Sequence, residues 1–520
     1  MKSRILSCLS AMTLFTALAN SVPLGAQDKQ DDIPRHYHYK LIDVATFGGP
    51  ESYINPAFAL GSANQINRRG AVVGAASTDI PANPTEPICG GLDGLVPFVF
   101  HAFLWQDGEK KDLGALPGIE CSEAVSINDH GEVAGRSENG VADPLNGRVE
   151  VHAVLWNDGE IRDLGTLGGN ISFAISNNNR SQVAGFSVNT IPDPFSFFYF
   201  LFGGFTDGTQ TRGFLWQKGK MRDLGTLGGP DTFALCLNDR GQVAGMSYVN
   251  SIPNPATGLP AAEPFLWSED RGMIDLGSLG GVWGSAGALN NRGQVIGVSS
   301  LGADPGACFG TGNPANCHPF LWDDGKLIDL FTSTIGGNPI TAEAINGAGE
   351  VVGTASFPNG APGGEAYLWK DGVLTDLGTL TGDFLSVALA INSRGQVVGQ
   401  SFPHGAVLWE DGAIFDLNTL IPQNSDLLLD NAFAISDRGE IAGFGLPPGC
   451  NLDTECGHAF VLIPCDENHP GVEGCDYTLV DLAAQRPARP SLNAAFGHMP
   501  PPAVWRRNNR FYLPALGPRN

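Results

Sequence analysis

Short runs of alternating apolar and polar residues recur along this chain in a fixed order. One stretch reads IRDLGTLGGNISFAISNNNRSQVAGFS and is completed further on by RGFLW; the next reads MRDLGTLGGPDTFALCLNDRGQVAGMS, completed by EPFLW. A unit of forty to seventy residues, with four such segments, runs eight times. The first segment is xxDLG, with Asp43, Asp112, Asp163, Asp223, Asp275, Asp329, Asp376 and Asp416. The second is AxxxN, ending at Asn67, Asn128, Asn178, Asn238, Asn290, Asn346 and Asn392, with Ser436 in the eighth copy. The third is GxVxGxS. The fourth is FLW, ending at Trp105, Trp156, Trp216, Trp267, Trp322, Trp369 and Trp409, with Phe460-Val461-Leu462 in the eighth copy.

Runs of this length, bounded by turn residues, read as strands. NDRG, NNRG and NSRG separate the second and third segments, and QDGE, NDGE, DDGK and KDGV separate the fourth from the first. Asn, Asp and Gly tolerate the positive φ of tight hairpins. AxxxN, GxVxGxS, FLW and DLG are therefore expected to form a four-stranded antiparallel meander, with TLGG leading to the next one. One such sheet cannot bury both faces. Stacking neighbours and closing the ring does so, which predicts an all-β fold, a β-propeller of eight four-stranded blades. An open β-solenoid is the alternative. Two segments, YKLIDV near residue 42 and YTLVDL near residue 480, both fit the slot that closes the ring, and the pattern does not choose between them.

The combination resembles the HAF family of bacterial extracellular repeats. It is spelled out by His101-Ala102-Phe103-Leu104-Trp105, by Asp223-Leu224-Gly225-Thr226-Leu227-Gly228-Gly229, and by Ile391-Asn392 with Val397-Val398-Gly399. The resemblance covers residues 39–482. The departures are Ser181 where Gly is usual, Asp416-Leu417-Asn418 in the eighth DLG, and the missing Trp of the last FLW. The resemblance implies an exported protein and no particular activity.

Residues 1–26 have the form of an export signal. Lys2 and Arg4 precede an apolar core from Ile5 to Ala19, and Ala26 is the preferred cleavage point. Residues 27–38 read as a linker and 483–520 as a Pro- and Arg-rich disordered tail. The expected location is extracellular or periplasmic, with no transmembrane segment in the mature chain and a monomeric state. Lys+Arg 30 against Asp+Glu 54 gives a net charge of −24, which repels phosphate, so nucleic acid is not an expected partner. An oxidising compartment makes disulfides the default. The expected pairs are Cys308 with Cys317, Cys450 with Cys456, Cys465 with Cys475, and Cys89 with Cys121. Cys236, on an apolar strand, is left as a buried thiol.

No GxSxG, HExxH or P-loop is present, and neither a metal nor a cofactor is implied. The repeated Asp and Asn read as turn-formers and the tryptophans as core between blades. Variation is concentrated between GxVxGxS and FLW, in connections that a meander places on one face. The outlier there is the aromatic run holding Phe195, Phe197, Phe198, Tyr199, Phe200 and Phe202. Exposed, it would be a contact surface; folded down, it would be a lid or part of a strand. The chain thus reads as a binding or scaffold module for a protein or glycan. A glycan hydrolase or lyase is the second reading. It would need Glu86, Glu120, Glu263 and Glu365, or some of them, to converge. A structural cell-envelope protein is the third.

Overall fold

The computed structural model describes residues 35–54, 64–82, 98–116, 121–143, 147, 149–197, 208–255, 258–303, 308, 316–333, 337–450 and 456–481. These build eight antiparallel sheets arranged as the blades of a propeller. Blade 3 is representative. Its strands are Ser172–Asn177, Gln182–Pro192, Thr209–Gln217 and Lys220–Asp223, paired in sequence order. In blades 2 to 8 the first strand is innermost, since first strands of neighbouring blades touch one another, and the fourth strand lies at the rim. The exception to the regular pattern is blade 6, whose first strand is split into Asn338–Pro339 and Ala344–Ile345.

The FLW segment shows how sequence becomes packing. Side chains alternate across a strand. Phe214 and Trp216 face one side, against Leu155 and Ala153 of blade 2. Leu215, between them, faces the other side, against Phe265 and Trp267 of blade 4. Each blade therefore repeats the same large-into-small packing against the next, and the leucines of DLG (Leu164, Leu224, Leu276) fill the gaps. The glycine of GxVxGxS is fixed by contact. A Cβ on Gly245 would lie 1.9 Å from the Phe233 carbonyl oxygen, because the first strand bulges against the second at this point.

The ring closes through the amino end. Tyr39–Asp43 forms the fourth strand of blade 8, pairing with His458–Pro464 beside Ile441–Leu446 and Leu428–Ile435. The competing segment, Leu479–Asp481, pairs with Arg35–Tyr37 instead, outside the eight sheets. The seam between blades 8 and 1 is packed like the others, with Ala442, Val461 and Ile42 against Val72, Phe103 and Trp105.

Three of the expected disulfides are present: Cys308–Cys317, Cys450–Cys456 and Cys465–Cys475. Cys121 is also disulfide-bonded, while Cys89, its expected partner, lies outside the described residues. Cys236 is a free, buried thiol. No helix among the described residues is long and apolar enough to cross a membrane.

Candidate functional site

The repeated polar residues resolve first, and they are structural. Each DLG aspartate accepts the backbone N–H two residues on, as Asp163 does from Gly165 at 2.7 Å and Asp223 from Gly225 at 2.8 Å. In blades 1, 2, 3, 5 and 8 its other partner is the residue at the H of HAF, across the third and fourth strands. His101–Asp112, His152–Asp163, His318–Asp329 and His458–Asp43 are such pairs, at 2.8 to 2.9 Å, and in blade 3 Arg212 replaces the histidine on Asp223. Burial pushes the carboxyls of Asp43, Asp112 and Asp163 up. The histidine and backbone hydrogen bonds outweigh it and hold them below the ordinary range.

The repeated asparagines do more than turn the chain. Asn238 Oδ1 accepts the N–H groups of Arg240 and Gln242, closing its own turn. Its Nδ2 donates to the Asn290 carbonyl of the next blade at 2.9 Å. The same bond runs from Asn67 to Asn128, Asn178, Asn238, Asn290, Asn346, Asn392 and finally Ser436. This belt lies on the face of the short turns.

Of the four acids singled out for catalysis, Glu86 and Glu120 lie outside the described residues. Glu263 and Glu365 stand at the HAF histidine position of blades 4 and 6. Each lies within reach of the charge of the Asp of its own blade, Asp275 and Asp376. They do not form a shared catalytic pair. Burial, then the neighbouring Asp275, push Glu263 up to about 7. Burial and the charge of Asp376 also raise Glu365.

The opposite face carries the long connections between second and third strands and the links between blades. Here the aromatic run is partly visible. Phe197 is buried, not presented: it stacks on Tyr248 at 3.9 Å and meets Phe233 edge-on at 5.4 Å. The cause is Asp231, which accepts the N–H groups of Phe197 and Thr211 and so draws the chain down. Phe195 is half-buried; Phe198, Tyr199, Phe200 and Phe202 lie outside the described residues. Asp231 and Asp193 are both closed from solvent, and the charge of Asp193 bears on Asp231. Burial, and then the charge of Asp193, raise Asp231 well above the carboxylate range.

What this face does present is aliphatic. In blades 1 to 4 the second strand runs past the sheet, shifts register and ends on an outward apolar residue: Ile80, Val141, Ile191 and Ile252. They are 45%, 52%, 54% and 74% exposed. A polar side chain two residues earlier accepts the N–H of each. The acceptors are Thr78 Oγ1 and the Oδ1 atoms of Asn139, Asn189 and Asn250, at 2.8 to 3.2 Å. In blades 5 to 8, Leu301, Ile340, Phe384 and Leu428 are exposed at the same ends of first or second strands. Every blade thus contributes one large apolar side chain to a crown. Among the described residues, the other exposed large apolar side chains are Val373, on the turn face, and Tyr477 and Leu479, after the last blade. The signal was in the sequence, as TDIP, NGVA, NTIP and NSIP after GxVxGxS, but it falls in the segments of variable length.

No family model and no curated protein matches the chain. Solved structures do. The acylaminoacyl peptidase of Pyrococcus horikoshii is similar at a TM-score of 0.41 and 14% identity, over 76% of this chain and 58% of that one. The β-propeller domain of the Trilobed protease from Pyrococcus furiosus matches at 0.38 and 10% identity, over 73% and 95%. An oligogalacturonate lyase solved with manganese matches at 0.35 and 11% identity, over 83% and 97%. This chain spans little more than half of the first of these, and their activities remain theirs.

Proposed function

We propose that this chain is an exported binding or scaffold module of the HAF type, which engages a partner through the face of long connections. The observation that carries this reading is the crown of exposed apolar residues, one per blade. Scattered apolar residues on a surface need no explanation, but a set with one member on the same face of every blade, four of them placed by a repeated register shift, does. Aliphatic tips held on rigid strand ends suit a protein surface better than a sugar ring, which aromatic platforms recognise. The disulfides support an oxidising compartment.

The test compares the full chain with a triple variant, Ile80→Ser, Ile191→Ser and Ile252→Ser, against immobilised envelope proteins and cell-wall glycans. These side chains are exposed, so folding should persist. A protein bound by the parent should bind the variant at least tenfold more weakly, while Val373→Ser on the turn face changes nothing. Equal binding by parent and triple variant would sink the reading.

A further inference from the structure

The crown sits in an acidic field. Among the described residues, this face exposes Asp79 and Asp426, the side chains of the DLG aspartates Asp43, Asp112, Asp163 and Asp223 are 40% to 43% exposed at the ends of the fourth strands, and its connections carry no Lys or Arg. Lys110 and Arg212 reach this face and are engaged there, with the Thr46 carbonyl and with Asp223, while the turns of the first hairpins on the opposite face hold Arg68, Arg180, Arg240, Arg292, Arg394 and Arg438. An anionic surface, or a second copy presenting the same face, would meet like charge there. The face fits an extended segment that is basic and apolar together.

This chain contains one. Residues 483–520 hold six arginines and no Asp or Glu, and the rest of the chain without them stands at −30 against −24 overall. The same segment carries Phe496, Trp505, Phe511, Tyr512 and Leu513 among prolines. We propose that residues 483–520 dock on the crown of their own propeller, arginines against the loop-face carboxylates and aromatic side chains among Ile80, Ile191 and Ile252. Proline-rich chain is already extended and loses little freedom on docking. Reach is sufficient. The last described strand, Leu479–Asp481, lies beside Arg35–Tyr37, and a blade is about 20 Å across its strands. The segment spans up to about 125 Å when extended. The tail would thereby compete with any outside partner for the face. This inference rests on the reading of that face as the binding surface.

The experiment uses the full chain with p-benzoylphenylalanine in place of Ile191 or, as control, Val373. Irradiation should crosslink position 191 to peptides from 483–520 within one molecule, independently of protein concentration. The yield should fall at least fivefold in 0.5 M salt or when the six tail arginines are changed to Ser. Position 373 should give no such product. Absence of the product from position 191, equal yields from both positions, or products that scale with concentration would overturn the proposal. If crosslinks fail while the triple serine variant still loses its partner, the tail proposal falls and the binding face stands. If the serine variant also binds normally, both fall.

Discussion

At the scale of single residues, the repeat is a set of backbone requirements. The fourth residue of the first hairpin turn is Gly in seven blades, with φ between 76° and 97°. Blade 3 places Ser181 there at φ 54°, a conformation an L side chain adopts at a cost. Ser181→Gly should therefore stabilise the protein by about 0.5–1 kcal/mol, the usual gain where a side chain had been forced to positive φ. Equilibrium denaturation would show a higher midpoint at unchanged slope. An unchanged or lower midpoint would mean that the serine costs nothing here. The asparagine of the same turn was legible as a turn-former from its neighbours. Its second role, donating to the next blade, was not, because the acceptor is about fifty residues away in sequence and adjacent only after the ring forms.

At the scale of the strand pair, the HAF and DLG motifs turn out to be two halves of one contact. In blades 1 and 2, His101 and His152 depress Asp112 and Asp163. A carboxyl depressed in the folded state adds stability above its unfolded pKa, and that stability is lost as pH falls through the folded value. Blade 4 has the opposite sign. With Glu263 raised to about 7, its contribution is intact below the unfolded value, near 4.5, and is lost as pH rises through about 7. Glu263→Gln removes that titration. The variant should match the parent near pH 4.5 and exceed it by about 1–2 kcal/mol at pH 8, the full linkage being discounted for partial exposure. Denaturation midpoints across pH 4–8 measure this. A gap that stays constant with pH would mean that Glu263 and Asp275 do not share a proton. A motif-by-motif reading found each of these acids and could not pair them, since strand register decides which residues face each other.

At the scale of the whole molecule, the ring depends on joining its ends. The final pair, His458–Asp43, links residues 415 apart, and the amino-terminal strand completes the last blade. One bond of the asparagine belt is missing at this seam. Ser436 is too short to donate to Asn67, and its hydroxyl is engaged with Glu440. Asn128 and Asn346 show that an asparagine can face a glutamate at the equivalent position. Ser436→Asn should complete the belt and raise stability by about 1 kcal/mol, the net worth of one hydrogen bond. Slower unfolding in a denaturant jump would confirm it; faster unfolding would show that the seam has no room for the amide. The number of blades, their four strands, the core tryptophans and the nearest-neighbour disulfides are legible in the chain alone. All of these follow from local periodicity, turn chemistry and short separations. Which end closes the ring, which acid meets which histidine, and that Phe197 turns inward while eight aliphatic and aromatic tips point out, emerge only in the folded ring. Those outcomes depend on register and on contacts between blades, which no local pattern encodes.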